Sequence, residues 1–142
     1  MVTGDTIMHV KTGDFGYTAL KSFDDLKSLD KDTLKEYVVF TNDGYRHFND
    51  IRTEYNVNRL IQFKFSDGYE LKCTEDHKLL TYDNDYVEAK DLKIGDSFAG
   101  FGVSIKNIDY IDDNVYPVYT FTGIDEIDGY FTGKVISQCW KT

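Results

Sequence analysis

Apolar and polar residues alternate with period two over most of the chain, and turn residues interrupt the alternation at short intervals. That is the pattern of short, half-buried β-strands. The clearest stretch is Leu60-Ile61-Gln62-Phe63-Lys64-Phe65, then Ser66-Asp67-Gly68, then Tyr69-Glu70-Leu71-Lys72-Cys73, and it predicts a hairpin. Tyr37 to Thr41, Asn42-Asp43-Gly44 and Tyr45 to Phe48 predict a second, because Asp-Gly supplies the positive φ of a tight turn. Val103 to Ile111 and Tyr116 to Thr122 read as two further extended runs. One segment departs from this pattern. Between Lys21 and Glu36 the residues Phe23, Leu26, Leu29 and Leu34 recur at helical spacing, and Ser22 and Asp30 can each cap a short turn of helix. One or two short helices are predicted there, in a charge-rich stretch suited to a surface insertion or a chain break. There is no internal repeat, low-complexity tract or linker, and Pro117 is the single proline. The fold class predicted is all-β, a sandwich, a barrel or a horseshoe of β-hairpins.

Composition narrows this picture. A length of 142 residues fits one domain with a real core, and an aromatic content of 15% suits pleated, half-buried surfaces. The net charge of −9 argues against nucleic acid, whose affinity rests on clustered Lys and Arg, although it leaves a basic protein partner open. Cys73 and Cys139 are the two cysteines, too few for a disulfide scaffold and without the paired spacing of a zinc site. Neither a metal nor a cofactor is expected. The first ten residues lack the features of a signal peptide, and nowhere do 18 apolar residues run together. The expectation is a cytoplasmic monomer, in a host cell or a phage-infected cell, with no membrane partner.

Two segments could carry chemistry. In Cys73-Thr74-Glu75-Asp76-His77-Lys78-Leu79-Leu80-Thr81 a strand ends, turns through two acids and restarts near His77. Such a bend can aim Thr74 and His77 at one peptide group, the hydroxyl holding a carbonyl oxygen and the imidazole giving a proton to the amide nitrogen. The run Tyr130 to Cys139 is an aromatic strand, a turn and a second apolar strand, ending in a carboxamide directly before a thiol. The Gln138 amide can attack its own backbone carbonyl and cut the chain after it, and the Cys139 thiol can accept an acyl group. Taken singly, a polar turn with a surface histidine and a strand with an incidental Gln-Cys are the simpler readings. Met1-Val2-Thr3-Gly4-Asp5-Thr6 and Val87-Glu88-Ala89-Lys90-Asp91-Leu92-Lys93-Ile94-Gly95-Asp96 carry no chemistry of their own, and Val87, Ala89, Leu92 and Ile94 read as core.

Together and in this order, the four segments resemble the blocks of inteins, the protein-splicing domains of the Hint superfamily. The opening resembles the family's Cys-x-x-Gly-Asp-Thr start with Met1 at the cysteine position. Thr74-x-x-His77 resembles the central Thr-x-x-His motif, Val87 to Asp96 the Val-x-Ala-x-Asp-Leu-x-x-Gly-Asp pattern, and Val118 to Cys139 the closing block. The stretch Phe15 to Tyr55 is the least familiar. The resemblance implies an all-β Hint horseshoe of β-hairpins with one or two short helices, a mini-intein too short to hold a homing endonuclease. Residues 1–138 are then the domain and 139–142 a stub of the C-terminal flank.

The activity implied is single-turnover self-splicing. Residue 1 attacks the preceding carbonyl to give a thioester, Cys139 takes the acyl group, and Gln138 cyclises to release the joined flanks. Thr74 and His77 activate the first junction. The partners implied are the chain's own flanking segments and, in a split form cut within Gly16 to Glu36 or Phe98 to Gly102, a complementary fragment. Several positions depart from the family. Met1 has no ionisable thiol, so this chain is expected neither to splice nor to carry a flank before position 1. Gln138 replaces the usual asparagine, Ser137 the histidine that often precedes it, and Thr120 the acid of Val-Tyr-Asp. Among Asp125, Glu126 and Asp128, Asp128 is the choice for an acid of the closing block. Cys73 is assigned to the core, and His9 and His47 to no role. Two rival functions remain: a Hint domain that only cleaves or passes its acyl group to an outside nucleophile, and an acidic all-β binding module without chemistry.

Overall fold

The computed structural model describes residues 1–13, 16–125 and 127–140. In chain order the elements are β1 (Val2–Thr3), β2 (Ile7–Thr12), β3 (Thr18–Ser22), α1 (Phe23–Lys27), α2 (Lys31–Leu34), β4 (Tyr37–Thr41), β5 (Gly44–Arg46), β6 (Asp50–Glu54) and β7 (Leu60–Phe65). They continue with β8 (Glu70–Cys73), β9 (Lys78–Leu80), β10 (Tyr86–Glu88), a 3-10 turn at Ala89–Asp91, β11 (Ile105–Ile111), β12 (Val118–Thr122), β13 (Gly129–Thr132) and β14 (Val135–Gln138). The fold is all-β with two short helices, as the alternation predicts. Glu126 and the last two residues of the predicted flank, Lys141 and Thr142, lie outside the described residues, as does Phe15.

Both predicted hairpins form. β7 pairs with β8 in the register Ile61 to Cys73 and Phe63 to Leu71, so Leu71 and Cys73 point inward beside Phe63 and Ile61. β4 pairs with β5 across the Asn42-Asp43-Gly44 turn, where Gly44 takes φ +84°. The helices start where their caps stand. Ser22 accepts from the Asp25 N–H while the Asp25 carboxylate accepts from the Ser22 N–H, a reciprocal capping box. Asp30 accepts from the Thr33 N–H in the same way. α1 contributes Phe23, fully buried against Tyr119, Phe121 and Tyr130 with ring centroids 4.8 to 6.2 Å apart. Such a side chain contributes about 1.5–3 kcal/mol by burial, which suffices to seat a helix too short to stand alone.

Among the described residues three sheets result, in the orders β11-β7-β8-β1-β12-β6, β10-β9-β14-β13 and β3-β2-β4-β5. Two central strands matter for function. β1, only two residues long, lies between β8 and β12, which fixes the start of the chain inside the largest sheet. β14 lies between β9 and β13, which fixes Ser137 and Gln138 beside the strand that follows His77.

Candidate functional site

The Thr74–His77 bend is built from backbone. β8 ends at Cys73, the Thr74 N–H donates to the Met1 carbonyl at 2.9 Å, and the His77 N–H closes the turn onto the Thr74 carbonyl at 3.2 Å. The segment read from sequence as packing clamps this bend: the Ala89 N–H donates to the His77 carbonyl and the Lys90 N–H to the Glu75 carbonyl, at 2.8 and 3.0 Å. Ala89 and Leu92 are buried in the core, Val87 is half-buried, and Ile94 is exposed rather than core.

The bend and the chain start meet through side chains. The Met1 amino group donates to Thr74 Oγ1 at 3.1 Å and lies 3.0 Å from His77 Nδ1. His77 is 4% exposed, and its other ring nitrogen, Nε2, lies 2.9 Å from Ser137 Oγ. Ser137 Oγ in turn lies 2.8 Å from Thr132 Oγ1, which donates to the Val135 carbonyl at 3.4 Å. One imidazole thus touches residue 1 on one side and the strand leading to Gln138 on the other.

Burial dominates the electrostatics. It pushes the His77 imidazolium well below the usual histidine range, and the Met1 ammonium pushes it further, so the ring is neutral at pH 7. Burial also lowers the Met1 amine, against weaker opposing effects of Cys73 and Asp76. Cys73 is fully buried and its thiol is pushed up to about 12, which leaves it an inert core side chain as the strand pattern predicts.

A cleft of about 440 Å³ opens here, and Met1, Thr74, His77, Thr120, Gln138 and Cys139 are among the residues that line it. Residues 1 and 138 therefore share one cavity. Thr120, buried on β12, stands where an acid was expected, and Glu54, Asp76 and Lys78 form charged parts of the wall. The Cys139 N–H donates to the Asp128 carbonyl at 2.8 Å, and its Sγ lies 3.5 Å from the Ile127 carbonyl. Asp128 thus meets Cys139 through its backbone carbonyl, and its charge also acts on Tyr86. Trp140 hydrogen-bonds the Phe121 carbonyl, and the Arg52 guanidinium sits 4.3 Å from its ring centroid. His9 packs edge-on against Phe40 and the His47 carbonyl accepts from the Asp125 N–H, both away from the cleft.

Two residues here escaped sequence reading. Thr132 lies diagonally across the β13–β14 register from Ser137; two hydroxyls on the buried face of an apolar hairpin were the available signal, since buried polar groups require partners. Tyr86, whose phenol is pushed up to about 12 by burial and then by Asp128 and Cys139, marks itself by no motif.

No family model matches the sequence, and no curated protein resembles it. Solved structures do. The VidaL intein superposes with a TM-score of 0.78 at 19% identity, covering 97% of this chain and 95% of that one. An intein from a hyperthermophile gives 0.78 at 15%, covering 96% and 98%, and the transcription factor IIB Mvu mini-intein gives 0.72 at 15%, covering 97% and 100%. The chain has the Hint fold of the inteins, in the short form without an inserted endonuclease.

Proposed function

We propose that the domain carries out autocatalytic protein splicing between its own flanking segments, and that methionine at position 1 blocks the first step in this chain. The observation that carries this reading is the pair of contacts from the residue 1 nitrogen to Thr74 Oγ1 and His77 Nδ1, in a cleft that also holds Gln138 and Cys139. With a residue before position 1, that nitrogen is the amide nitrogen of the first junction.

With cysteine at position 1, the thiol sulfur attacks the carbonyl carbon of the preceding residue. An S–C bond forms, the C–N bond breaks, and the thiol proton reaches the leaving nitrogen through His77 Nδ1. Thr74 Oγ1 supports the same junction. The Cys139 thiolate then takes the acyl group by thioester exchange. Finally the Gln138 side-chain nitrogen attacks its own backbone carbonyl, closing a six-membered ring as the bond to the Cys139 nitrogen breaks. Asparagine would close a five-membered ring, so release is expected to be slow. The Met1 thioether has no ionisable proton and cannot begin the sequence. On this reading the domain ends at Gln138, Cys139–Thr142 begins the following flank, and the thiols need a reducing compartment such as the cytoplasm.

The Gly16 to Glu36 stretch and the Phe98 to Gly102 loop are the candidate chain breaks of a split form; one structural neighbour is described as a consensus engineered intein with an atypical split site. Cutting at each place and mixing the fragments tests this, recovery of product identifying the break.

A Met1→Cys chain placed behind a short peptide and ahead of a tag, followed by intact mass, tests the main reading. Joined flanks together with a free 138-residue domain support it. No shortened or joined product refutes it and favours the non-catalytic binding module. The second reading, a Hint domain that only cleaves, gains weight from Ser137 and Gln138 at the second junction. It predicts a released N-terminal flank that is never joined, at a rate indifferent to Cys139→Ala.

A further inference from the structure

We propose that Ser137 and Thr132 are positioning residues that make Nδ1 the one nitrogen of His77 to exchange protons with the first junction. The inference deepens the splicing reading and rests on it. It also gives Ser137 a task at the junction farthest from it in sequence.

The hydrogen bonds take their direction from the end that cannot change. The Val135 carbonyl only accepts, so the Thr132 hydroxyl donates to it, at 3.4 Å. With the Thr132 proton directed to that carbonyl, the 2.8 Å contact with Ser137, which either hydroxyl could donate, is donated by Ser137. Ser137 Oγ, its own proton spent, can only accept across the 2.9 Å to His77 Nε2. Nε2 therefore carries a proton, and in the neutral ring Nδ1 is left as the acceptor facing the residue 1 nitrogen at 3.0 Å. Thr132 and Ser137 are both fully buried, so water offers neither hydroxyl a competing partner.

The relay keeps its direction when the ring gains a proton. Both nitrogens of an imidazolium donate, so Nε2–H stays on Ser137 and the added proton must sit on Nδ1. A proton taken from the residue 1 thiol by Nδ1 then leaves from Nδ1 to the amide nitrogen, with nothing lost through the far side of the ring. The charged groups facing the site are the Met1 amino group and, around the cleft, Asp76, Lys78 and Glu54. On the Nε2 side the hydrogen-bond partner is a neutral hydroxyl, Ser137 Oγ.

Two readouts test the relay. The first needs no splicing: ¹⁵N-correlated NMR of the imidazole in the chain as it stands, at pH 7. The expected result is an Nε2–H proton on His77 that exchanges slowly with water, beside an unprotonated Nδ1. Ser137→Ala should remove the protection, Ser137→Thr should retain it, and Thr132→Val should weaken it. A proton on Nδ1, or an Nε2–H signal indifferent to Ser137→Ala in a folded variant, overturns the inference. The second readout is thiol-induced release of an N-terminal flank from the Met1→Cys chain. Because a hydrogen bond from a charged donor is worth more than one from a neutral donor, Ser137→Ala should slow release about tenfold, with Ser137→Thr restoring it. Release unaffected by Ser137→Ala sinks the relay and leaves the splicing reading standing; a protected Nε2–H in a chain that never releases its flank sinks the splicing reading instead.

Discussion

Replacing Gly133 by alanine tests how the closing hairpin is anchored to the start of the chain. Gly133 turns β13 into β14 at φ +60°, and a Cβ there would stand 2.7 Å from two carbons of the Tyr69 ring. The Tyr69 hydroxyl accepts from the Ile7 N–H at 3.0 Å, and the Gly133 N–H donates to the Ile7 carbonyl at 2.9 Å. An alanine therefore incurs two costs. The left-handed backbone costs about 1 kcal/mol, and moving Tyr69 leaves the Ile7 N–H without its partner, for about 1–3 kcal/mol more. A total near 3 kcal/mol corresponds to a fall in Tm of about 6–12 °C for a chain of this size. Gly44→Ala is the control, since Gly44 has φ +84° and a Cβ there would meet nothing within 4 Å; only the backbone cost of about 1 kcal/mol applies. Urea unfolding of both variants measures the difference. Equal losses would refute the claim that the Tyr69 contact helps anchor this hairpin to the start of the chain.

Two further outcomes follow from buried groups. Native His77 titrates well below 6.5 while the unfolded residue titrates near it, so the unfolded chain binds the extra proton and stability is lost as pH falls below 6.5 towards the native value. The slope reaches at most about 1.4 kcal/mol per pH unit, and His77→Gln should flatten that part of the urea-measured profile; an unchanged slope contradicts the neutral buried ring. Cys73, with its thiol raised to about 12 and no exposed surface, should resist iodoacetamide in a Cys139→Ala chain at pH 8 until urea unfolds it; labelling of the native chain at the rate of a free thiol counts against its core assignment.

The sequence carried most of the fold because its signals are local. The Asp-Gly turns and alternating runs around Asp43-Gly44 and Asp67-Gly68 each specify a hairpin by themselves, and Ser22 and Asp30 mark both helix starts. β1, β3 and β6 were not legible. Val2–Thr3 is too short for a period, and Asp50–Glu54 offers one buried apolar residue, Ile51, in a polar run that becomes a strand only because β12 lies beside it. The site divides the same way. Thr74 and His77 are three residues apart and share a turn, so a motif could mark them. Their meeting with Met1, Ser137 and Thr132 depends on two sheets bringing strands together across 60 residues or more of chain, except for the short hairpin step from Ser137 to Thr132.

The most direct test of the account is trapping the first acyl shift. A Met1→Cys chain behind a short peptide is treated with excess dithiothreitol and followed by mass over time, alongside the same chain carrying His77→Ala. The peptide is expected to leave as a dithiothreitol thioester, and His77→Ala to slow this by about 10²–10⁴-fold. A peptide that stays attached at every time, or leaves equally fast without the imidazole, contradicts it.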